Sequence, residues 1–312
     1  PSASVRALAS SRSAGTALPF RDSELTVEEL REDSFENIDL ALFSAGGGTS
    51  KEFAPKAAEA NCVVVDNSSA WRMDPEVPLV VPEVNPKALY EHKKIIANPN
   101  CSTIQMVVVL QPLHETGTIK RVVVSTYQAV SGSGQSAIEE LENQVRAIFN
   151  MQDPECNVYP YQIAFNCLPH IDAFQDNDYT KEEMKMVNET KKIMGEDDLK
   201  VTATTVRVPV FYGHSESINV ETEKKISANE ARAILSQAPN IKVLDNPKEH
   251  IYPLAIHAAG LDETFVGRIR EDETIDNGLN LWVVSDNIRK GAALNTIQIA
   301  EELLERNLLP AR

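Results

Sequence analysis

The stretch "IDLALFSAGGGTSKEFAPKAAEANCVVVDNSS", residues 38–69, decides the fold. Residues 38–43 read as a buried strand that stops at Ser44-Ala45-Gly46-Gly47-Gly48. Residues 50–60 predict a helix with alanines on one side. Cys62–Asp66 is a second short apolar run, closed by Asn67-Ser68-Ser69. Continuous apolar runs belong to parallel strands buried on both faces, and the helix between them supplies the crossover. Leu79–Val81 and Ile95–Ala97 are further short runs of this kind. Ligands of such sheets bind at the carboxyl ends of the strands. The small and polar residues that end each run are therefore placed where a ligand would lie.

After about residue 102 the pattern changes. Long runs at 119–128, 199–211, 215–222 and 279–285 predict a larger, partly antiparallel sheet. Helices are predicted at 136–151, 181–194 and 228–238. The second opens with Thr180 and Glu183, the third with Ser227 and Glu230, both in capping-box spacing. A last helix over 288–306 carries apolar residues at Ile297, Ala300, Leu303 and Leu304, and is expected to return to the first domain. The fold class is α/β for a nucleotide-type first domain, followed by an α+β domain with a mixed sheet.

Composition narrows the function. A chain of 312 residues suits about two domains, and 42% hydrophobic residues can fill their cores. The formal net charge of −16 repels nucleic acid and anionic membranes. An anionic substrate would need a few local Arg or Lys side chains to overcome that field. No apolar run approaches the roughly 18 residues of a membrane span. The start lacks a secretory apolar core. Cys62, Cys101, Cys156 and Cys167 form no CxxC pair, and no HExxH occurs, so no metal site is expected and a reducing cytoplasm is the default.

Chemistry centres on "NPNCSTIQ", residues 98–105. Cys101 follows a turn and opens an apolar helix, where free N–H groups and the helix dipole lower a thiol pKa and stabilise an oxyanion. The alternative is a small buried core thiol. Gln128 ends a strand, and Ser131-Gly132-Ser133-Gly134 opens a helix; this is an anion-binding turn or a plain connection. Arg207 lies on a strand and suits a bidentate carboxylate clamp, and His214 beyond it suits acid–base work; an exposed face and a structural turn are the alternatives. Glu189 and Lys192 share a helix face. Arg72 follows a strand end. Arg12 sits among small residues, where a dinucleotide fold meets a 2′-phosphate.

Taken together these stretches resemble the aspartate-β-semialdehyde dehydrogenase family, in its Gram-positive-like bacterial branch. The motifs are LASSRSAG (8–15), ALFSAGG (41–47), VVDNSSAWRMD (64–74), PLVVPEVN (78–85), NPNCSTIQ, VSTYQAVSGSG (124–134), NETKKIM (188–194), VRVPVFYGHSES (206–217), FVGRIR (265–270) and WVVSDNIRKGAALN (282–295). They cover nearly the whole chain. The resemblance implies a Rossmann-type NADP-binding domain over 1–101 with 292–312, and a catalytic and dimerisation domain over 102–291. It implies NADPH-dependent reduction of L-aspartyl-4-phosphate to L-aspartate-4-semialdehyde, through a cysteine thioester, in lysine, threonine, methionine and diaminopimelate biosynthesis. A cytoplasmic bacterial homodimer is implied as well.

By the same resemblance Cys101 is the nucleophile, His214 the acid–base group and Gln128 the substrate-orienting residue. Arg207 clamps the substrate carboxylate and Glu189 meets its ammonium. Arg72 and Lys192 bind phosphate, and Asn100 shapes the oxyanion environment. Ser10, Ser11, Arg12 and Ser13 hold the NADP 2′-phosphate. Ser44, Ala45 and Gly46 also touch the cofactor, and Ser131, Gly132 and Asn287 lie near the nicotinamide half. One departure stands out: the family's opening strand and glycine-rich loop, roughly 25 residues, have no counterpart in these residues. A truncated or incomplete sequence is the expectation, with weak NADP affinity if the truncation is real. The alternatives are an N-acetylglutamyl-phosphate-type reductase and a cofactor-deficient, non-catalytic relative.

Overall fold

The computed structural model describes residues 4–310. Its first strands are β1 (Ala7–Ala9), β2 (Ala17–Phe20) and β3 (Ser23–Glu29), paired in the order β1-β3-β2. Residues 38–69 then form strand β4 (Leu40–Phe43), helix α1 (Gly47–Glu59) and strand β5 (Val63–Asp66). With β6 (Ile95–Ala97) they make a parallel sheet, β4-β5-β6. Strand β5 is wholly buried at its centre, as its continuous valines require. Strand β4 departs from the expectation of burial: it is an edge strand and leaves Leu42 half exposed. Gly46 caps α1 at φ 88°, a conformation open to glycine, and lets the helix start earlier than expected, at Gly47.

Helix α2 (Cys101–Gly117) runs from this sheet into the second half of the chain. Ile104, Val107 and Val108 pack with Val77, Leu79, Val81 and Ala97. Met106, Val109, Leu110 and Leu113 pack into a different core. A helix buried on both faces shows little amphipathic period, in keeping with the continuous apolar run Met106–Leu110 at its centre.

The second core lies under a mixed sheet. Strand β7 (Ile119–Gln128) leads through α3 (Gln135–Phe149) and α4 (Lys181–Met194) to β8 (Lys200–Arg207) and β9 (His214–Thr222). Helix α5 (Ala228–Gln237), β10 (Ile241–Val243), the short α6 (Ala255–Ala258), β11 (Thr264–Asp272) and β12 (Gly278–Ser285) follow. The order is β10-β11-β12-β9-β7-β8. Alternate residues Val122 and Val124, Ile218 and Val220, and Leu281 and Val283 face α2 together with Met186 of α4 and Leu235 of α5. The run predicted to reach residue 211 leaves the ladder at Arg207, ahead of Pro209, which has no N–H to donate.

The last helix corrects another expectation. Residues Arg289–Ala293 form a π-helical turn, in which Gly291 donates to Asp286 O and Ala293 to Ile288 O. Helix α7 (Leu294–Glu305) starts only after it. Its buried face is Asn295, Thr296, Ile299, Ala300 and Leu303, while Ile297 and Leu304 stay about half exposed. Ile299 and Leu303 pack on Val63, Val65 and Ile96, so the chain's end does return to the first parallel sheet.

Both capping boxes form. Thr180 Oγ1 accepts from Glu183 N, and Glu183 reaches back to the Thr180 N–H at 2.7 Å. Because α4 carries cleft residues, this cap matters. Thr180→Ala is expected to cost about 1 kcal/mol of stability, read from the midpoint of urea denaturation; an unchanged midpoint would contradict it.

Candidate active site

Cys101 is the first residue of α2, and its placement follows from the asparagines before it. Asn98 is fully buried. Its side chain bonds Asn67 Oδ1 at 2.7 Å and accepts from Asn295 Nδ2 at 2.7 Å. This fixes the end of β6. Asn100 then caps α2: its Oδ1 accepts from the N–H groups of Ser102 and Thr103 at 3.0 and 3.3 Å. Those two donors serve the cap, and the Ser102 N–H also favours the thiolate of Cys101, as helix-start physics leads one to expect. On its other side Cys101 meets the π-turn. A Cβ on Gly291 would come within 2.7 Å of Cys101 Cβ, so only glycine fits there.

The thiol lines a cleft of about 510 Å³ with Arg72, Asn100, Gln128, Ser131, Gly132, Glu182, Lys185, Arg207 and Asn287. A lowered thiol pKa was the expectation; the structure reverses it. Burial pushes the Cys101 thiol up to about 12, Glu182 adds to the rise, and Arg207 and Arg72 oppose it. The helix-start effect is outweighed by desolvation, and Cys101 rests as a neutral thiol.

Glu182 is the hub of the cleft floor. Its Oε1 accepts from Asn100 Nδ2 at 2.9 Å and from Gln128 Nε2 at 3.2 Å. Its Oε2 accepts from Lys185 Nζ at 3.0 Å, and Lys185 also bonds Asp172 at 2.8 Å. Burial alone would raise the Glu182 pKa; Lys185 and the two amides outweigh it, so Glu182 is held ionised. Gln128 is buried and oriented from behind by Thr126 Oγ1, which donates to its Oε1 at 3.1 Å.

Arg207, the last residue of β8, is buried and donates from Nη1 to Ala129 O at 2.7 Å. Its Nε has no partner. His214, the first residue of β9, lies just behind the cleft wall: a Cβ on Gly132 would come within 3.0 Å of Arg207 Nη1 and 3.3 Å of the His214 ring. Gly132 therefore serves close approach, a role its sequence context does not disclose. Ser131 and Asn287 bond each other, and Asn287 Oδ1 accepts from Gly213 N at 2.9 Å, which fixes the turn before His214.

Arg72 reaches the same cleft from the loop after β5. It donates to Asn98 O, Asn67 O and Glu189 Oε1 at 2.9, 3.1 and 3.2 Å. Glu189 does not face the cleft around Cys101. It is almost fully buried, with its second oxygen accepting from Asn100 N at 2.7 Å. Burial raises its carboxyl, against Arg72 and that N–H. Lys192 is further removed: its ammonium donates to the carbonyls of Arg72, Asp74 and Val77 at 2.8, 2.7 and 2.8 Å. With all three N–H bonds on backbone, it staples the Arg72 loop and has no donor for phosphate. The pair that meets the cleft lies seven residues earlier, Glu182 with Lys185. Sequence reasoning passed over it, although the Glu-x-x-Lys spacing is the same.

Ser131, Gly132 and Asn287 line the Cys101 cleft, whereas the other expected cofactor residues lie elsewhere, along the first half of the chain. Ser10, Ser11, Arg12 and Ser13 form an exposed turn directly after β1. Ser44, Ala45 and Gly46 link β4 to α1. A Cβ at Gly46 or Gly48 would meet nothing within 4 Å, so the start of α1 is open to a ligand. Among the described residues, no group of three or more His, Cys, Asp or Glu side chains is placed to hold a metal.

Residues 1–92 match the family model for the semialdehyde dehydrogenase NAD binding domain, and residues 110–290 that for its dimerisation domain. An aspartate-semialdehyde dehydrogenase of Aquifex aeolicus is 60% identical over 305 residues, covering 96% of this chain and 90% of its own. The Bacillus subtilis protein of that name is 51% identical, with 97% and 90% covered. The Vibrio cholerae aspartate semialdehyde dehydrogenase II structure, "complexed with ASA", aligns with a TM-score of 0.93 at 48% identity, covering 96% of this chain and 89% of that one.

Proposed function

The chain belongs to the aspartate-semialdehyde dehydrogenase family, and we propose that the cleft at the start of α2 is where it performs that family's reaction. The enzyme is an NADP-dependent oxidoreductase of amino-acid biosynthesis. It reduces L-aspartyl-4-phosphate to L-aspartate-4-semialdehyde with release of phosphate, reversibly, and acts as a homodimer through its dimerisation domain. The relatives' identity does not favour the N-acetylglutamyl-phosphate or non-catalytic alternatives. The observation that carries the site is the meeting, in one cleft, of a thiol with cations at Arg72, Lys185 and Arg207 and an ionised Glu182.

Cys101 Sγ attacks the acyl carbon. The S–C bond forms, the C–O bond to phosphate breaks, the thiol proton leaves with the phosphate, and a thioester remains. Arg72 and Lys185 hold the departing phosphate, in place of the Arg72–Lys192 pair that the sequence suggested. Arg207 clamps the substrate carboxylate. Glu182, rather than the enclosed Glu189, meets the substrate ammonium, and Gln128 orients the acyl group beside it. These three cations answer the field of a chain at −16. The Ser10–Ser13 turn with Arg12, the Ser44–Gly46 link, and Ser131 with Asn287 fit the NADP expected there, since they offer hydroxyls, an open helix start and a guanidinium. When bound, NADPH supplies the hydride that reduces the thioester. Among the described residues no helix is long and apolar enough to cross a membrane; we place the enzyme in the bacterial cytoplasm.

Two lysine variants test the phosphate assignment. Lys185→Ala is expected to raise the KM for phosphate, in the oxidative direction, by about 10- to 100-fold, the worth of a charge-assisted hydrogen bond. Lys192→Ala should leave that KM within about threefold and lower stability, because three carbonyls lose their donor. The reverse pattern would restore Lys192 to the site.

A further inference from the structure

Lys290 stands inside the π-turn, fully buried and not part of the cleft lining. Its ammonium donates to both carboxylate oxygens of Glu83 at 2.7 Å. It also donates to Asn295 Oδ1 at 3.0 Å and to Gln298 Oε1 at 2.6 Å. Every N–H of the ammonium is thereby used. Glu83 sits in a tight turn, where Val84 and Asn85 both donate to Val81 O, and its side chain is 5% exposed. Burial lowers the Lys290 pKa and Glu83 opposes the shift. Neither residue has a part in the chemistry described above.

Two walls of the cleft depend on this ammonium. The first is the π-turn with the residues just before it, from which Asn287, Ile288, Gly291 and Ala292 line the cleft. Lys290 is the neighbour of Gly291, which lies against Cys101 with no room for a Cβ. The second wall is the turn that carries Cys101. Asn295, held by Lys290, donates from Nδ2 to Asn98 Oδ1 at 2.7 Å and to Val80 O at 3.1 Å. Asn98 in turn fixes the end of β6 and accepts Arg72 Nε on its carbonyl. A buried ion pair is a poor source of stability, because apolar side chains of like size in its place are often at least as stable. Its direct effect is to permit one arrangement, since any shift of either turn strands a charge.

We propose that Lys290, through its ion pair with Glu83 and its bond to Asn295, is a positioning residue that sets the Cys101 thiol at attacking distance in the cleft. It acts on the reaction only through other residues. The ion pair fixes where the π-turn meets Cys101. The bond to Asn295 fixes, by way of Asn98, the path on which the chain enters α2. Covalent attack is sensitive to such placement, and an error of about 1 Å costs about 10²-fold in rate. The proposal rests on reading Cys101 as the nucleophile of this cleft.

The test removes both charges at once. Lys290→Met combined with Glu83→Met replaces the pair by apolar side chains of similar length. The urea midpoint of this double variant is expected near that of wild type, whereas Lys290→Met alone, which strands Glu83, should fall well below it. A merely structural pair would let turnover follow stability and return in the double variant. Positioning predicts that it does not. With semialdehyde and NADP but no phosphate, the single-turnover rate at which Cys101 takes the acyl group, followed by mass spectrometry, should stay about 10²-fold below wild type. The steady-state loss should fall on kcat, with the KM for semialdehyde within about threefold. Asn295→Ala leaves the pair intact and cuts the link to Asn98; a loss of about tenfold in the same rate is expected. A wild-type rate in either the double variant or Asn295→Ala overturns the proposal. So does a double variant that cannot fold, because the pair would then be an element of stability. A wild-type enzyme that takes no acyl group at Cys101 overturns the reading of the cleft instead.

Discussion

Cys101→Ser is expected to lower semialdehyde oxidation by about 10⁴-fold or more, as removal of a covalent nucleophile does. The hydroxyl is a far weaker nucleophile than sulfur, and an ester is a poorer hydride acceptor than a thioester. The fold should tolerate the change, because serine is no larger and the tight contact with Gly291 involves only Cβ and Cα. Turnover is read from NADPH formation with semialdehyde, NADP and phosphate, alongside a denaturation curve. Activity within tenfold of wild type, at unchanged stability, would remove Cys101 from the mechanism.

Arg72→Met should fail in two separable ways. Arg72 is about nine-tenths buried and its partner Glu189 almost completely so. Removing one member of such a pair leaves the other enclosed, at a cost of about 3–5 kcal/mol. Arg72 also anchors the carbonyls of Asn67 and Asn98, beside the turn that sets Cys101. The stability loss should shrink when Glu189→Gln is added, since the stranded charge is then gone. The loss of phosphate affinity should not recover, because it comes from the missing guanidinium. If the second substitution restored both, Arg72 would be a structural residue only.

The sequence disclosed most of what depends on local pattern. Strand β7 keeps the predicted bounds at Ile119 and Gln128, and α4 begins at its capping box. The valines of β5 announced a strand buried on both faces. Strands β2 and β3 went unread because they lie largely exposed, so no apolar pattern marks them. The π-turn at 289–293 was also illegible, since no local pattern marks its i→i+5 bonds, and the close approach of Gly291 to Cys101 belongs to the assembled fold.

The misplaced lysine has a similar cause. Glu182-x-x-Lys185 and Glu189-x-x-Lys192 are seven residues apart on one helix. Seven residues is nearly two turns, so both pairs point the same way and differ mainly by roughly 10 Å along the axis. Periodicity identifies the face; only the packing of α4 against the rest of the chain says which turn stands over Cys101. The thiol pKa escaped for the same reason. A helix start can be read from Asn100 and Ser102, whereas the burial that outweighs it belongs to the assembled cleft.

The covalent step is the central claim, and it can be watched directly. In the absence of phosphate, semialdehyde and NADP should give a burst of NADPH equal to one per active chain and then stop, because the thioester has no acceptor. Mass spectrometry of the quenched enzyme should find the aspartyl group on the peptide that contains Cys101. A burst with that label is the predicted result. Steady turnover without phosphate and without any acyl adduct at Cys101 would contradict the account.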